Sequence, residues 1–398
     1  PNGKTSVVSV LSSTTIQVAN AATVTSGSLT ITFNVLESNI RKLLYHNMVN
    51  PITIVLTNNY NVLMTGRTSQ SMNLSWTNYT QYFPNITDIM YIDGSRRYNT
   101  ENTLGSISVY WTSTGGVQNI STFGGSALAA GNGVGNSQDS SNKPPFNSYG
   151  AVGTVNTNPT NILVQRTINM SAMSSGVSTI TVQSALVGIS SGYYVSGTGI
   201  PANTYVGSVQ TATTFTLVNS TGNTVTTTSA ITAGTVLTYN MLAPGETIRQ
   251  YTSCVGNGDL TTGAAPFRYI LTSNNRLLMF GPNDSTTPFR CLYAPTLIQR
   301  DVVTLYPDNV IQRAVLLILK TDGWVYMLTP LVGYAPSNVF TGETSVSLTP
   351  FVATKTWYNT QTYGAIKDIV NGYIITTDGK LYGMTATGIC DGKTMLVN

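Results

Sequence analysis

Charge is what this sequence has least of. Only 9% of its 398 residues are Asp, Glu, Lys or Arg, against roughly 25% in an ordinary soluble domain. Pairs such as Arg41-Lys42 and Arg96-Arg97 stand isolated, and the net charge is only +4. No basic tract of the kind that tracks a phosphate backbone is present, so nucleic-acid binding is not expected. The three cysteines, Cys254, Cys291 and Cys390, are too few for a disulfide framework and form no Cys-x-x-Cys metal pair. Cys254 and Cys291 flank one apolar hairpin, where they are either a disulfide or two buried thiols. A single histidine, His46, leaves no pair for a metal. A Ser-His-Asp triad would have to be built on it without a Gly-x-Ser-x-Gly elbow. No stretch reaches the roughly 18 consecutive apolar residues of a membrane-spanning helix. The run Gly131-Asn-Gly133-Val-Gly135 is followed by no helix that would make it a phosphate cradle. The expectation is no catalytic set, no cofactor and no metal.

Aromatic and neutral polar residues fill the space. There are 22 Tyr, 10 Phe and 4 Trp, and 41% of the chain is apolar. Disordered chains combine high charge with few aromatics. This opposite combination points to a β-rich chain with a neutral Ser/Thr/Asn surface.

Five segments repeat one pattern: apolar strand, polar turn, apolar strand. They are Ile52 to Gly66, Ile107 to Ser121, Arg268 to Pro282, Ala314 to Thr329 and Gly372 to Thr385. Aligned on the turn, Thr57, Thr112, Thr272, Lys320 and Thr376 are equivalent, at intervals of 55, 160, 48 and 56 residues. Asp322-Gly323 and Asp378-Gly379 supply the turn chemistry in two copies, and a two-residue primed turn is expected from the Gly, Asn and Asp present. Ahead of two hairpins stands Ile-x-Asp-Ile, at Ile86 to Ile89 and at Ile366 to Ile369, with a looser version at Asp301 to Tyr306. A β-hairpin unit recurring near every fifty residues implies a propeller.

The stretch Ile369 to Gly383 (IVNGYIITTDGKLYG) and, less closely, Leu316 to Leu328 resemble the regulator of chromosome condensation repeat family. The resemblance spans about 40–66, 86–121, 254–329 and 350–390. It implies a propeller and is nearly silent on activity; the N-terminal strands and the room left in the 160-residue interval bring the expected irregular propeller to six or seven blades.

The 160-residue interval is the second feature. Between Lys143 and Glu246 the only charged residue is Arg166. After the Gly/Ser/Asn loop at 124–149, short strands recur to Tyr239, and Val195 to Val206 (VSGTGIPANTYV) is similar to small β-domains of phage tails and virion surfaces. The expected division is therefore 1–150, N-terminal strands and first blades; 151–245, an inserted charge-poor β-domain, of which 167–240 is expected to be separable; and 246–398, the remaining blades. Residues 37–45 (ESNIRKLLY) read as a short helix or irregular segment, with Ile40, Leu43 and Leu44 on one side.

The function expected from these features is a structural subunit of a viral or extracellular assembly, located on a virion surface or outside the cell. It would associate with itself or with other structural subunits. The alternatives are a glycan-binding adhesin meeting a host surface and a partner-binding propeller similar to exchange factors. Seven Asn-X-Ser/Thr sequons, at Asn73, Asn78, Asn85, Asn119, Asn169, Asn219 and Asn283, are candidate glycosylation sites.

Overall fold

The computed structural model describes residues 7–12, 15–18, 39–46, 52–66, 73–96, 104–124, 160–255 (except 185, 187, 188 and 212), 266–280, 295–307, 316–330, 351–370, 373–383 and 394–395. Two compact units are present, 1–38 and 39–398. In the first, Val7–Ser12 and Thr15–Val18 form an antiparallel hairpin.

The second unit is all-β and of propeller type. Its described residues form five four-stranded antiparallel sheets, each with its strands in chain order, besides the barrel described below. Sheet 1 is Ile40–His46, Ile52–Thr57, Val62–Gly66 and Asn73–Asn78. Sheet 2 is Ile86–Arg96, Leu104–Ser113, Val117–Gly124 and Thr160–Asn161. Sheet 3 is Ile248–Val255, Pro266–Thr272, Leu277–Phe280 and Thr296–Gln299. Sheet 4 is Val302–Pro307, Leu316–Lys320, Trp324–Pro330 and Phe351–Asn359. Sheet 5 is Ile366–Val370, Tyr373–Thr376, Leu381–Gly383 and Thr394–Met395. Each expected hairpin forms the second and third strands of a sheet. Residues 40–46 are a strand, not the helix their spacing suggested. Their backbone pairs with Ile52–Thr57 from Ile40 to His46, and sheet hydrogen bonding overrides a weak local helical preference.

The sheets stack through alternating faces. Ile54, Leu56, Val62 and Met64 of sheet 1 meet Ile86, Ile89, Val109 and Trp111 of sheet 2. Tyr269, Leu271 and Met279 of sheet 3 meet Leu305, Leu316 and Ile318 of sheet 4. Leu317, Val325 and Met327 of sheet 4 meet Ile369, Ile374 and Tyr382 of sheet 5. Period-two alternation lets one strand serve two interfaces: Leu316 and Ile318 face back, Leu317 faces forward.

Between sheets 2 and 3 lies a six-stranded sheet of Arg166–Asn169, Thr179–Thr181, Tyr194–Gly197, Thr204–Thr211, Thr214–Asn219 and Val236–Asn240. Its two outer strands meet again at the Met170–Val182 bridge. Ser171 N–H donates to Thr181 O and Gln183 N–H to Asn169 O, both at 2.9 Å. The sheet therefore closes into a small barrel filled by Met170, Ile180, Val195, Val206, Phe215 and Leu237. Closure removes the sticky edges of an open sheet.

The barrel is not packed apart from the sheets. Its core is continuous with Tyr110 and Ile120 of sheet 2 and with Ile270, Leu278 and Phe280 of sheet 3.

Candidate interaction face

Five equivalent turns sit at one end of the sheets. The strand-joining residues are Asn58 to Tyr60, Thr114 to Gly116, Ser273 to Asn275, Thr321 to Gly323 and Thr377 to Gly379. These are three-residue loops, not the two-residue primed turns expected. In each, the last residue has positive φ: Tyr60 at 61°, Gly116 at 74°, Asn275 at 58°, Gly323 at 80° and Gly379 at 84°. In sheets 1, 3, 4 and 5 only that residue is left-handed, as in the type I turn plus left-handed residue that also joins hairpin strands, whereas in sheet 2 Gly115, at 79°, is left-handed as well. Asn and Gly tolerate the left-handed region; at Tyr60 it is held by neighbours.

The turn-flanking threonines cap these loops. Thr57 Oγ1 accepts from Asn61 N–H at 3.0 Å, Thr272 Oγ1 from Arg276 N–H at 3.3 Å, and Thr376 Oγ1 from Lys380 N–H at 2.9 Å. In sheet 4 the position belongs to Lys320. In sheet 2 it belongs to Ser113, which pairs with Ile86, whereas Thr112 pairs with Asp88. The alignment on Thr112 is thus displaced by one residue, because the loop Thr114-Gly115-Gly116 starts one residue later.

A second invariant ties each turn to the inner strand. The first loop N–H donates to the carbonyl preceding that strand: Asn58 to Asn39 at 2.7 Å, Thr114 to Asn85 at 2.9 Å, Ser273 to Thr247 at 2.8 Å, Thr321 to Asp301 at 2.9 Å and Thr377 to Ala365 at 2.8 Å. One residue later every inner strand carries a register shift, at Ile40/Lys42, Ile86/Asp88, Ile248/Gln250, Val302/Thr304 and Ile366/Asp368. A bulge re-aims the extra residue out of the ladder. Here those residues are Arg41, Thr87, Arg249, Val303 and Lys367.

Polar links join successive inner strands at matching heights. Lys42 Nζ lies 3.0 Å from Asp88 Oδ1. Tyr91 Oη and Ser253 Oγ are 3.0 Å apart. Gln250 Oε1 accepts from Leu305 N–H at 2.9 Å. Arg249 donates to Val302 O at 3.2 Å and also to Val303 O.

Turn chemistry changes around the array. Sheet 1 is basic and aromatic, with the Arg41 guanidinium 5.2 Å from the Tyr60 ring. Sheets 2 and 3 present neutral Thr, Gly, Ser and Asn. In sheet 4 Tyr326 donates to Asp322 at 2.7 Å, and Lys355 lies 3.9 Å from the Trp324 ring. In sheet 5 Lys380 is 2.8 Å from Asp378. Hydrogen bonds from Lys380 and Thr376 hold the Asp378 carboxyl down to about 2.

Other expected sites lie elsewhere. His46 pairs with Ile52 at the opposite end of the first strand of sheet 1. Cys254 is in the first strand of sheet 3, opposite Phe267, while Cys291 and Cys390 lie outside the described residues, as does Asn283. Asn73 is in a strand and no more is described of it. Asn78, Asn85 and Asn169 are exposed. Asn219 holds a turn by accepting from Thr221 and Asn223. Asn119 is 7% exposed, with Nδ2 donating to Val117 O at 2.9 Å, so its amide is withheld from glycan transfer. Among the described residues no cluster of metal-ligating side chains is present, and no helix is long and apolar enough to cross a membrane.

One buried site escaped the sequence reading. Arg276 and Glu246 form an ion pair with side-chain exposures of 4% and 0%. Arg276 Nε donates to Glu246 Oε1 at 2.8 Å, Nη2 to Met241 O at 3.0 Å, and Nη1 to Gly192 O. The guanidinium also sits 5.0 Å from the Tyr205 ring. Arg276 belongs to the sheet 3 hairpin and Gly192 and Tyr205 to the barrel, so the pair is a clamp between them. The only sequence signal was that Glu246 ends the charge-free stretch.

No family model matches the chain, and no curated protein matches it. Among the solved structures similar to it are two from yeast. Prp20p from Saccharomyces cerevisiae, described with its binding properties to Gsp1p and histones, is 12% identical over 84% of this chain and 69% of that one, with a TM-score of 0.28. Yeast RCC1 (Prp20) bound to Kap60 is 13% identical over 84% of this chain and 67% of that one, with a TM-score of 0.28. The propeller-type assignment rests on strand order and register.

Proposed function

We propose that this chain is a non-catalytic binding scaffold whose turn-bearing face holds a protein partner. The observation that carries this is the contrast within the turns. Their backbone hydrogen bonds repeat five times, while their outward side chains run from Arg41 and Tyr60 through Asn274 to Asp322 and Asp378. Binding residues placed on loops over a rigid scaffold are the usual way that β architectures recognise partners. Of the readings made from sequence, this is the partner-binding propeller.

The test is a display-based interaction screen with the full chain against a five-turn variant, Asn59→Ala, Thr114→Ala, Asn274→Ala, Thr321→Ala and Thr377→Ala. All five positions are exposed, so the variant keeps the wild-type melting curve. Protein ligands of the wild type lose at least tenfold in affinity for the variant. Ligands that bind both equally overturn the assignment of the face.

A structural subunit of a viral or extracellular assembly is the second reading. It is favoured by the low charge of the chain, since little net charge keeps copies apart, and by the similarity of its inserted segment to phage-tail β-domains. Association on that reading depends only weakly on salt.

A further inference from the structure

The turn of sheet 1 breaks a local rule that the other four turns obey. At the left-handed position that closes each loop stand Gly116, Asn275, Gly323 and Gly379, and in sheet 1 Tyr60, at φ 61°. Among the described residues the other non-glycine positions with positive φ are Asn85, Asn203, Asn275 and Asp301. Short polar side chains tolerate that region, whereas a bulky one there is strained. The loop imposes the strain through its backbone. Tyr60 N–H donates to Thr57 O, Thr57 N–H to Asn61 O and Asn61 N–H to Thr57 Oγ1, each at 3.0 Å. The ring gains little burial in exchange. Tyr60 is 42% exposed, while Thr57 and Val62 on either side of the loop are fully buried. A residue that departs from its turn's chemistry without a packing gain marks a site kept for function.

Arg41 is the other half of the site. The register shift between Ile40 and Lys42 makes it the extra residue of the bulge. Its guanidinium lies 5.2 Å from the centre of the Tyr60 ring, and Nη1 donates to Tyr60 Oη at 3.4 Å. Lys42, beside it in the chain, is committed to Asp88 at 3.0 Å. Among the described residues no carboxylate lies within ion-pair distance of Arg41. An exposed cation–ring contact adds little to folding. It does hold ring and guanidinium together as one surface. The contact with Tyr60 uses one nitrogen of a planar, multi-donor fork whose geometry matches a carboxylate.

We propose that Tyr60 and Arg41 are the anchor by which the turn-bearing face grips a protein segment carrying a carboxylate next to an apolar side chain. The carboxylate meets the Arg41 guanidinium in a charge-assisted pair. The apolar side chain lies on the exposed part of the Tyr60 ring. Tyr and Arg are among the residues that dominate protein contacts, and a tyrosine supplies a large rigid area with a polar end. The proposal rests on the reading of that face as partner-binding and adds the point of contact and the chemistry of the partner.

The experiment uses the full chain in four forms: wild type, Tyr60→Asn, Arg41→Gln and the five-turn variant above. Asparagine occupies the equivalent position in sheet 3, so Tyr60→Asn melts no lower than the wild type. Arg41 is exposed, so Arg41→Gln keeps the wild-type circular dichroism. A random peptide display library is panned on the immobilised wild type, and the selected peptides are titrated by fluorescence anisotropy. They carry Glu or Asp beside an apolar residue, and each loses at least tenfold in affinity for Tyr60→Asn and for Arg41→Gln. Replacing their acidic residues by Gln or Asn gives the same loss on the wild type and no further loss on Arg41→Gln, the signature of a direct pair. Peptides that bind both single variants like the wild type but fail on the five-turn variant overturn the anchor and leave the face standing. Peptides that bind all four forms equally overturn both. A library that yields no binder, or only binders without acidic residues, overturns the proposal. So does a Tyr60→Asn variant that melts below the wild type, because the ring then belongs to the structure.

Discussion

The five sheets and the barrel bury the same kinds of side chain but manage their strand edges in opposite ways. The barrel closes, its two terminal strands meeting where Met170 lies opposite Val182. The sheets stay open at their fourth strands, whose described residues run from two in Thr160–Asn161 and Thr394–Met395 to nine in Phe351–Asn359. Where the two regions meet, the barrel covers a sheet edge: Leu297 N–H on the outer strand of sheet 3 donates to Ser191 O of the barrel at 2.9 Å. Short, covered or closed edges are the recognised ways to avoid unwanted pairing. The difference teaches that low charge is compatible with a defined structure when backbone edges are controlled by topology.

The largest effect is expected where the two regions are joined. Arg276→Met leaves Glu246 buried without its partner and costs about 3–5 kcal/mol in denaturant unfolding. The double variant Arg276→Met, Glu246→Leu recovers most of that loss, because replacing both members of a buried pair is often nearly neutral. If the clamp joins barrel and sheet 3, the single variant lowers the unfolding midpoint of both together.

Within each region the cores are comparable. Phe215→Ala in the barrel and Leu271→Ala at the interface of sheets 3 and 4 remove fully buried side chains. Each costs about 2–5 kcal/mol by calorimetry or denaturant titration. A barrel substitution that leaves the sheets' transition unmoved would split the molecule into two folding units.

The turns sharpen the comparison on a smaller scale. Gly323 and Gly379 occupy equivalent left-handed positions, but a Cβ on Gly323 would lie 2.9 Å from Thr360 Oγ1, whereas Gly379 faces open space. Gly379→Ala therefore costs only the conformational term, about 1 kcal/mol. Gly323→Ala costs more, by the shift forced on Thr360. Equal losses would contradict the packing of the short helix Thr360–Tyr363 on the sheet 4 turn.

The smallest effect is electrostatic. The Asp378 carboxyl is held down to about 2, chiefly by its hydrogen bond from Lys380 and then by that from Thr376. Its folded value lies below the ordinary 3.8. The stability it contributes is therefore complete above the unfolded value and is lost as pH falls through about 2. Carboxyl NMR titration finds its midpoint well below the ordinary 3.8. Lys380→Ala moves it upward.

Much of the fold was legible because β-hairpins are local. Thr57, Thr272 and Thr376 mark real turns, and Asp322-Gly323 and Asp378-Gly379 were readable as turn residues by chemistry alone. The inner strand of sheet 3 was missed because Ile248-Arg-Gln-Tyr251 carries no Ile-x-Asp-Ile. The strand at Ile40–His46 was missed because its apolar residues serve a bulged strand, and the bulge at Arg41 breaks the alternation that signals one. The fourth strands were missed because their partners fix them, not their own pattern. The closure of the barrel and the Arg276–Glu246 clamp join residues distant in sequence, which no local spacing reveals. The turn-bearing end of the sheets was legible as five turns but not as one face. That required the equal heights of the bulges at Arg41, Thr87, Arg249, Val303 and Lys367.

The central claim is that the repeated sheets and the barrel form one cooperative body. Native-state hydrogen exchange tests it most directly. The amides of Val206 and Leu217 in the barrel and of Ile270 and Leu278 in sheet 3 should exchange through a common opening, and Arg276→Met should lower their protection by the same amount. Barrel amides that keep full protection while those of sheet 3 lose theirs would contradict it.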